Sequence, residues 1–144
     1  MTTDASLLTV PFGSDLGRLA LALRFEVFVD EQKVPEEIER DAFDATATHV
    51  VALVDGDVVG TLRVVFLPEH AKIGRVAVRA GFRGRGIARD MMLFAMELAR
   101  ARGESRFYLT SQSDKVGFYE RLGFTAFGDE FDDGGLPHLA MKTY

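Results

Sequence analysis

The chain contains no cysteine, which excludes disulfides, thiolate metal sites and a cysteine nucleophile together. Positive charge is short as well: 17 Lys and Arg stand against 22 Asp and Glu, a formal net charge of −5. The protein as a whole therefore repels polyanions; a nucleic-acid partner is not expected, and any affinity for phosphate has to arise locally. No apolar run approaches the roughly 20 residues that span a bilayer, and the opening MTTDASLLTV lacks the charged-then-apolar pattern of a signal peptide. The expectation is a cytoplasmic protein with no membrane partner. The four prolines fall singly, and no repeat or Pro/Gly/Ser linker divides the 144 residues, so one domain over 1–144 is predicted. His49, His70 and His138 are too scattered to predict a metal triad, and each reads as a structural imidazole. There is no G-x-S-x-G elbow, so serine hydrolase chemistry has no support.

What remains is strongly patterned. SLLTVP reads as a short strand, and DLGRLALALRFEVFV from Asp15 as a helix with Leu16, Leu19, Leu23 and Val27 on one face and Ser14 or Asp15 as its N-cap. The acidic EQKVPEEIERDAFDATA predicts a loop with at most one helical turn. THVVALVDGDVVGTLRVVFL predicts two strands joined at Asp55-Gly56, and AKIGRVAV a third. IARDMMLFAMELARARG predicts the longest helix, with Ile87, Met91, Phe94, Ala95 and Leu98 inward and Gly103 as its C-cap. SRFYLTSQ is a strand, SDKVGFYERLG a helix capped by Ser113 or Asp114 and stopped by Gly123, and FTAFG and HLAMKTY the last two strands. The order βα(α)βββαβαββ implies an α/β fold whose mixed sheet combines an antiparallel hairpin with a right-handed parallel crossover.

Between the third strand and the long helix lies GFRGRGIARD, Gly81 to Asp90. A dinucleotide fingerprint fails because Arg89 stands where the third glycine is needed, and the next strand has no acidic residue for a ribose. A Walker A loop fails because Ile87-Ala88 replaces its Lys-Ser/Thr. Two readings remain at this level. Gly84 and Gly86 could let successive N–H groups converge on an anion at the helix start, with Ala88 small and Arg83 and Arg85 screening charge. The segment could equally be a tight turn with solvated arginines.

Arg83-x-x-Gly86-x-Ala88 matches the Q/R-x-x-G-x-G/A signature of the GNAT (GCN5-related) N-acetyltransferase superfamily. The preceding IGRVAV resembles that family's central strand, and Phe118-Tyr119-Glu120-Arg121-Leu122-Gly123-Phe124 resembles its FYE-x-LGF element. VFVDEQKVPEEIERD and ATHVVA further resemble the ElaA-like subgroup, with Asp30 where a second valine is usual. The resemblance implies a sheet splayed between the central strand and the parallel strand after the helix, flanked by helices. It implies acetyl-CoA as cosubstrate and no metal, with the pyrophosphate on the backbone of Arg83, Gly84, Arg85, Gly86, Ile87 and Ala88. The pantetheine arm would pair with Val76, Ala77 and Val78, where a backbone N–H would polarise the thioester carbonyl. Tyr119 would be the proton donor to the departing thiolate, or else a packed ring. Gln112 and Lys115 would meet the cofactor, whereas Phe118 and Phe124 would pack.

The acceptor would be a primary amine of a small molecule or peptide, and it must lose a proton before attack, its reference pKa being about 10.4. The sequence does not identify that base: Glu31, Glu36, Glu39 and Asp41 cluster in the loop expected over the acceptor, with Glu31 and Gln32 as the first choice for acceptor contact. A longer acyl group, a homodimer through the C-terminal strands, and a non-catalytic acyl-CoA-binding sensor or interaction module all stay open.

Overall fold

A computed structural model of the chain describes residues 5–36 and 40–144. Seven strands form one sheet: β1 (Ser6–Val10), β2 (Thr48–Val54), β3 (Asp57–Phe66), β4 (Ala71–Val78), β5 (Phe107–Gln112), β6 (Thr125–Asp133) and β7 (Leu136–Lys142), in the spatial order β1-β2-β3-β4-β5-β7-β6. Every neighbouring pair is antiparallel except β4 and β5. Helix α1 (Asp15–Arg24) covers one face; α2 (Ile87–Ala101) and the short α3 (Val116–Glu120) cover the other. The β2–β3 hairpin turns at Asp55 and Gly56, both with positive φ (51° and 84°), the geometry of a type I′ turn.

Both long helical predictions need correction in their detail. Ser14 caps α1 by accepting from the Gly17 N–H, but the α-helix ends at Arg24 and Phe25–Glu31 continues as π-helix. The buried stripe is also rotated from the predicted one: Gly17, Ala20, Leu23 and Arg24 are buried in α1 while Leu19 is 51% exposed. In α2 the stripe is centred on Met91, Met92, Ala95, Met96 and Ala99, so Phe94 and Leu98 fall at its margin. Gly103 ends that helix with φ 91° as expected.

The C-terminal elements also depart from the sequence pattern. Residues 113–123 form a 3₁₀ turn at Ser113–Lys115 followed by α3, and Ser113 donates to Glu130 instead of capping a helix. Strand β6 runs to Asp133, well past Gly128, because an irregularity between Phe127 and Phe131 absorbs the interruption. Asp129, Glu130, Asp132 and Asp133 read as loop residues because they carry charge. On an edge strand that charge discourages pairing with another chain.

Candidate active site

The turn into α2 is the first component of the site. Gly84 and Gly86 adopt φ of 77° and 81°, and a Cβ built on either would meet no atom within 4 Å; the constraint here is the left-handed backbone, and open space lies in front of it. Gly86 is the N-cap of α2 and supplies no side-chain cap, so the first intrahelical bond runs from Asp90 N to Gly86 O. Among the described residues, no acceptor takes a hydrogen bond from the backbone N–H of Gly84, Arg85, Gly86, Ile87, Ala88 or Arg89. Six consecutive donors at the positive end of a 15-residue helix fit a pyrophosphate, which offers acceptors at that spacing. The geometry is compatible with the first of the two readings of this turn, an anion site. The arginines contribute less directly: Arg83 gives its Nε to Val78 O (2.8 Å) and its Nη2 to both Glu31 oxygens (2.9 and 2.7 Å), and Arg85 lies over the Phe82 ring.

The second component is an opening in the sheet. Strands β4 and β5 pair only at Ala71 with Phe107 and Lys72 with Tyr108, although both run on for several residues. Beyond Lys72 the β5 side of β4 is without a strand partner, which leaves backbone groups available for an extended ligand. One extra residue is inserted into β4 against β3, where the register passes from Thr61–Ala77 to Arg63–Gly74. Arg75 sits in this bulge with φ 54°. A bulge bends its strand and re-aims the groups beside it, here at Val76, Ala77 and Val78. An interior glycine, Gly74, is the trace it leaves in the sequence.

Both components line one cleft of about 800 Å³, together with Phe118, Tyr119 and Gln112. Tyr119 lies edge-on to Phe118, with ring centroids 4.9 Å apart. Burial pushes its phenol up to about 12, and its hydroxyl has no hydrogen-bond partner among the described residues. Tyr119 lines the same cleft as the turn and the β4 edge.

The other half of the cleft lies on the α1 face and is lined by side chains. Arg24 and Asp44, both 2% exposed, form a bidentate pair (2.7 and 3.2 Å). Arg63 reaches Asp44 (2.8 Å) and grips both oxygens of Asp41 (2.6 and 2.8 Å), and Arg75 reaches Asp41 at 3.2 Å. Burial opposes ionisation of Asp44, but the Arg24 and Arg63 guanidiniums overcome it and bring the carboxyl down to about 2. The hydrogen bond from Arg63 likewise lowers Asp41. Neither carboxylate is a ready base. Lys72 sits beside them, its ammonium destabilised first by burial and then by Arg63 and Arg75.

A roof crosses this half. A Cβ on Gly134, in the β6–β7 turn, would stand 3.0 Å from Cγ1 of Val34, so glycine lets the hairpin tip touch the loop after the π-helix. The two residues first chosen for acceptor contact tie that loop down on either side: Glu31 to Arg83 of the cradle, and Gln32 Oε1 to Gln112 Nε2 at 2.7 Å. Glu36 is exposed, and Glu39 lies outside the described residues. His49 is buried against the Asp44 carbonyl and stacks on Phe12, and His70 bonds the Tyr144 hydroxyl and stacks on Tyr108; both are structural imidazoles. Only His138 of the three lines the cleft. Among the described residues no group of three or more acidic or histidine side chains converges as a metal site, and no helix is long and apolar enough to cross a membrane.

Comparison with known proteins places this geometry. The sequence profile of the acetyltransferase (GNAT) family matches residues 18–124. The N-acetyltransferase YjcF of Bacillus subtilis is 34% identical over 123 residues, 85% of this chain and 88% of the relative. Among solved structures, an acyl-CoA N-acyltransferase from Pseudomonas aeruginosa superposes with a TM-score of 0.86 at 28% identity, covering 98% of this chain and 100% of the other. Escherichia coli ElaA superposes with a TM-score of 0.86 at 25% identity, covering 97% and 99%.

Proposed function

The chain belongs to the acetyltransferase (GNAT) family, and from that premise we propose that this acetyltransferase transfers the acetyl group of acetyl-CoA to a primary amine by direct attack. The observation that carries the reading is the run of six partnerless N–H groups opening into the gap between β4 and β5. The superposition on an acyl-CoA N-acyltransferase supports acyl-CoA as the donor. One domain and a soluble, metal-free reaction suffice for it.

Each residue then has a task. The N–H groups of 84–89 hold the pyrophosphate, with Arg83 at the edge of the turn, and the exposed backbone of Val76, Ala77 and Val78 pairs with the pantetheine arm. One N–H there hydrogen-bonds the thioester oxygen and stabilises the charge that develops on it. Gln112, bound to Gln32, keeps the end of β5 away from β4. Tyr119 donates a hydrogen bond to the departing sulfur. With its phenol pushed up to about 12, it holds its proton more tightly than a thiol of reference about 8.5, so it stabilises the developing thiolate without having to give the proton up fully. Glu31 shapes the acceptor side by holding Arg83.

The test is thiol release from acetyl-CoA across a panel of alkylamines, amino acids, polyamines and peptides, with calorimetric binding of CoA in parallel. Turnover with at least one amine class is expected. Tight CoA binding without thiol release from any amine would overturn the enzymatic mechanism in favour of an acyl-CoA-binding module.

A further inference from the structure

Direct attack needs an amine without its extra proton, and the reading above leaves the group that takes this proton unassigned. We infer that His138 is the proton acceptor, its Nε2 receiving the proton from the attacking nitrogen; this rests on the acetyl-transfer reading of the cleft.

The imidazole is fixed for that task. Its Nδ1 lies 2.8 Å from Leu136 O. A carbonyl only accepts, so in the neutral ring Nδ1 carries the hydrogen and Nε2 keeps a lone pair. Nε2 has no partner among the described residues, and the residue lines the cleft. The ring stacks on Phe131 at a centroid distance of 6.0 Å, which limits its rotation. His138 is paired in register with Gln112, the last residue of β5, so it stands at the end of the sheet where β5 has already parted from β4, on the strand that backs β5 on the side away from the opening.

The remaining charged groups of the cleft are unsuited. Asp41 is committed to Arg63 and Arg75, and Glu31 to Arg83. Arg63, Arg75, Lys115 and the cradle's Arg89 are cations, and Tyr119 keeps its own proton; Lys72, whose ammonium burial destabilises, stands over the Tyr108 ring at the last residue where β4 still pairs with β5. Asp133 is exposed at the hairpin rim, and a carboxylate is intrinsically a weaker base than an imidazole. Roles balance as follows. The amine nitrogen forms the C–N bond with its lone pair while the carbonyl π pair moves to oxygen. That pair returns as the C–S bond breaks, and the bonding electrons leave on sulfur. His138 Nε2 takes the ammonium proton before attack and later releases it to solvent; the second proton, which the nitrogen sheds once the C–N bond has formed, goes to water. The thiolate takes one from water, with Tyr119 hydrogen-bonded to it.

His138→Asn separates this from a structural role, because the Asn amide can still donate to Leu136 O at the Nδ1 position while no lone-pair nitrogen remains. With acetyl-CoA and ethylamine, kcat should fall about 100-fold, with unchanged melting temperature and unchanged calorimetric affinity for CoA. With trifluoroethylamine, uncharged at neutral pH, the loss should be under about tenfold. Free imidazole should restore part of the ethylamine rate to His138→Ala. Equal losses for both amines without rescue, or no loss in His138→Asn, would overturn the assignment. No turnover of either amine by the unmodified protein would instead overturn the acetyl-transfer reading, and the assignment with it.

Discussion

The two halves of the cleft are built from different materials. The half proposed for the cofactor is backbone: six N–H groups at the start of α2 and a strand edge left bare by the parting of β4 from β5. The half proposed for the acceptor is side chains: Asp41, Arg63, Arg75, Lys72 and His138 line it, and the chain of ion pairs continues behind them to the buried Asp44 and Arg24. A backbone cradle recognises what all its ligands share and tolerates substitution of its exposed side chains. A floor of paired side chains depends on each of its charges and fails when one is removed.

The largest effect should come from breaking that floor. Asp44→Ala removes from two buried guanidiniums, Arg24 and Arg63, the carboxylate that they share, and should cost about 3–5 kcal/mol of stability, read by chemical denaturation. The pH profile has the same origin. Asp44 and Asp41 titrate lower in the folded protein than unfolded, so their contribution is complete above the unfolded carboxylate range, near pH 4, and is lost as pH falls toward 2. Burial lowers His49 too, which adds a shallower loss beginning below about pH 6.5. A flat stability profile between pH 5 and 2 would show that the network contributes nothing.

The cofactor half should break differently, at the backbone. Gly86→Val places a β-branched residue at φ 81° and puts methyl groups into the space before the N–H groups. The left-handed penalty of about 1–2 kcal/mol, plus about one lost hydrogen bond, predicts roughly 100-fold weaker CoA binding by calorimetry. The acceptor floor should be untouched, with its acid unfolding unchanged. Undiminished affinity would show that the phosphates bind elsewhere.

This division also explains what the sequence could tell. The cradle was legible because its residues are contiguous: a glycine turn between a strand and a helix has a local signature, and family resemblance supplied its ligand. The splay was legible only through that resemblance. The bulge at Arg75 left no mark beyond Gly74, because its positive φ is imposed on an arginine by pairing across the sheet. Of the side-chain floor only Asp41 was legible, as one of four acidic residues in a loop expected over the acceptor. Asp41, Arg63, Arg75 and His138 are brought together by strand order, and the acidic character of residues 31–44 suggested a solvated loop where two aspartates are in fact pinned by arginines. His138 read as structural for the same reason: scattered histidines give no pattern until β7 is known to lie beside β5.

Between the halves stands Tyr119, a side chain serving the cofactor side. Tyr119→Phe keeps the ring against Phe118 and removes only the hydroxyl. A hydrogen bond to a developing charge is worth about 1.5–2 kcal/mol, so kcat should fall by roughly tenfold to 30-fold while CoA affinity holds. A rate within twofold of the parent would leave the phenol as packing alone.

The smallest effect is the most discriminating, because Glu31 belongs to both halves. It rises from the end of the π-helix, over the acceptor side, and grips Arg83 of the cradle across a half-exposed surface. Exposed pairs of this kind are worth about 0–1 kcal/mol, so Glu31→Gln should not change the melting temperature by more than a few degrees. Its effect on CoA has a definite sign. As drawn, the carboxylate competes with phosphate for the Arg83 guanidinium; removing its charge frees that group, and CoA affinity should rise by a few-fold, more steeply at low salt than at high. If CoA binding instead weakens tenfold, the Glu31–Arg83 bridge is positioning the cradle. If the amine KM alone rises, Glu31 touches the acceptor, and the boundary between the backbone half and the side-chain half lies on the cradle side of Arg83.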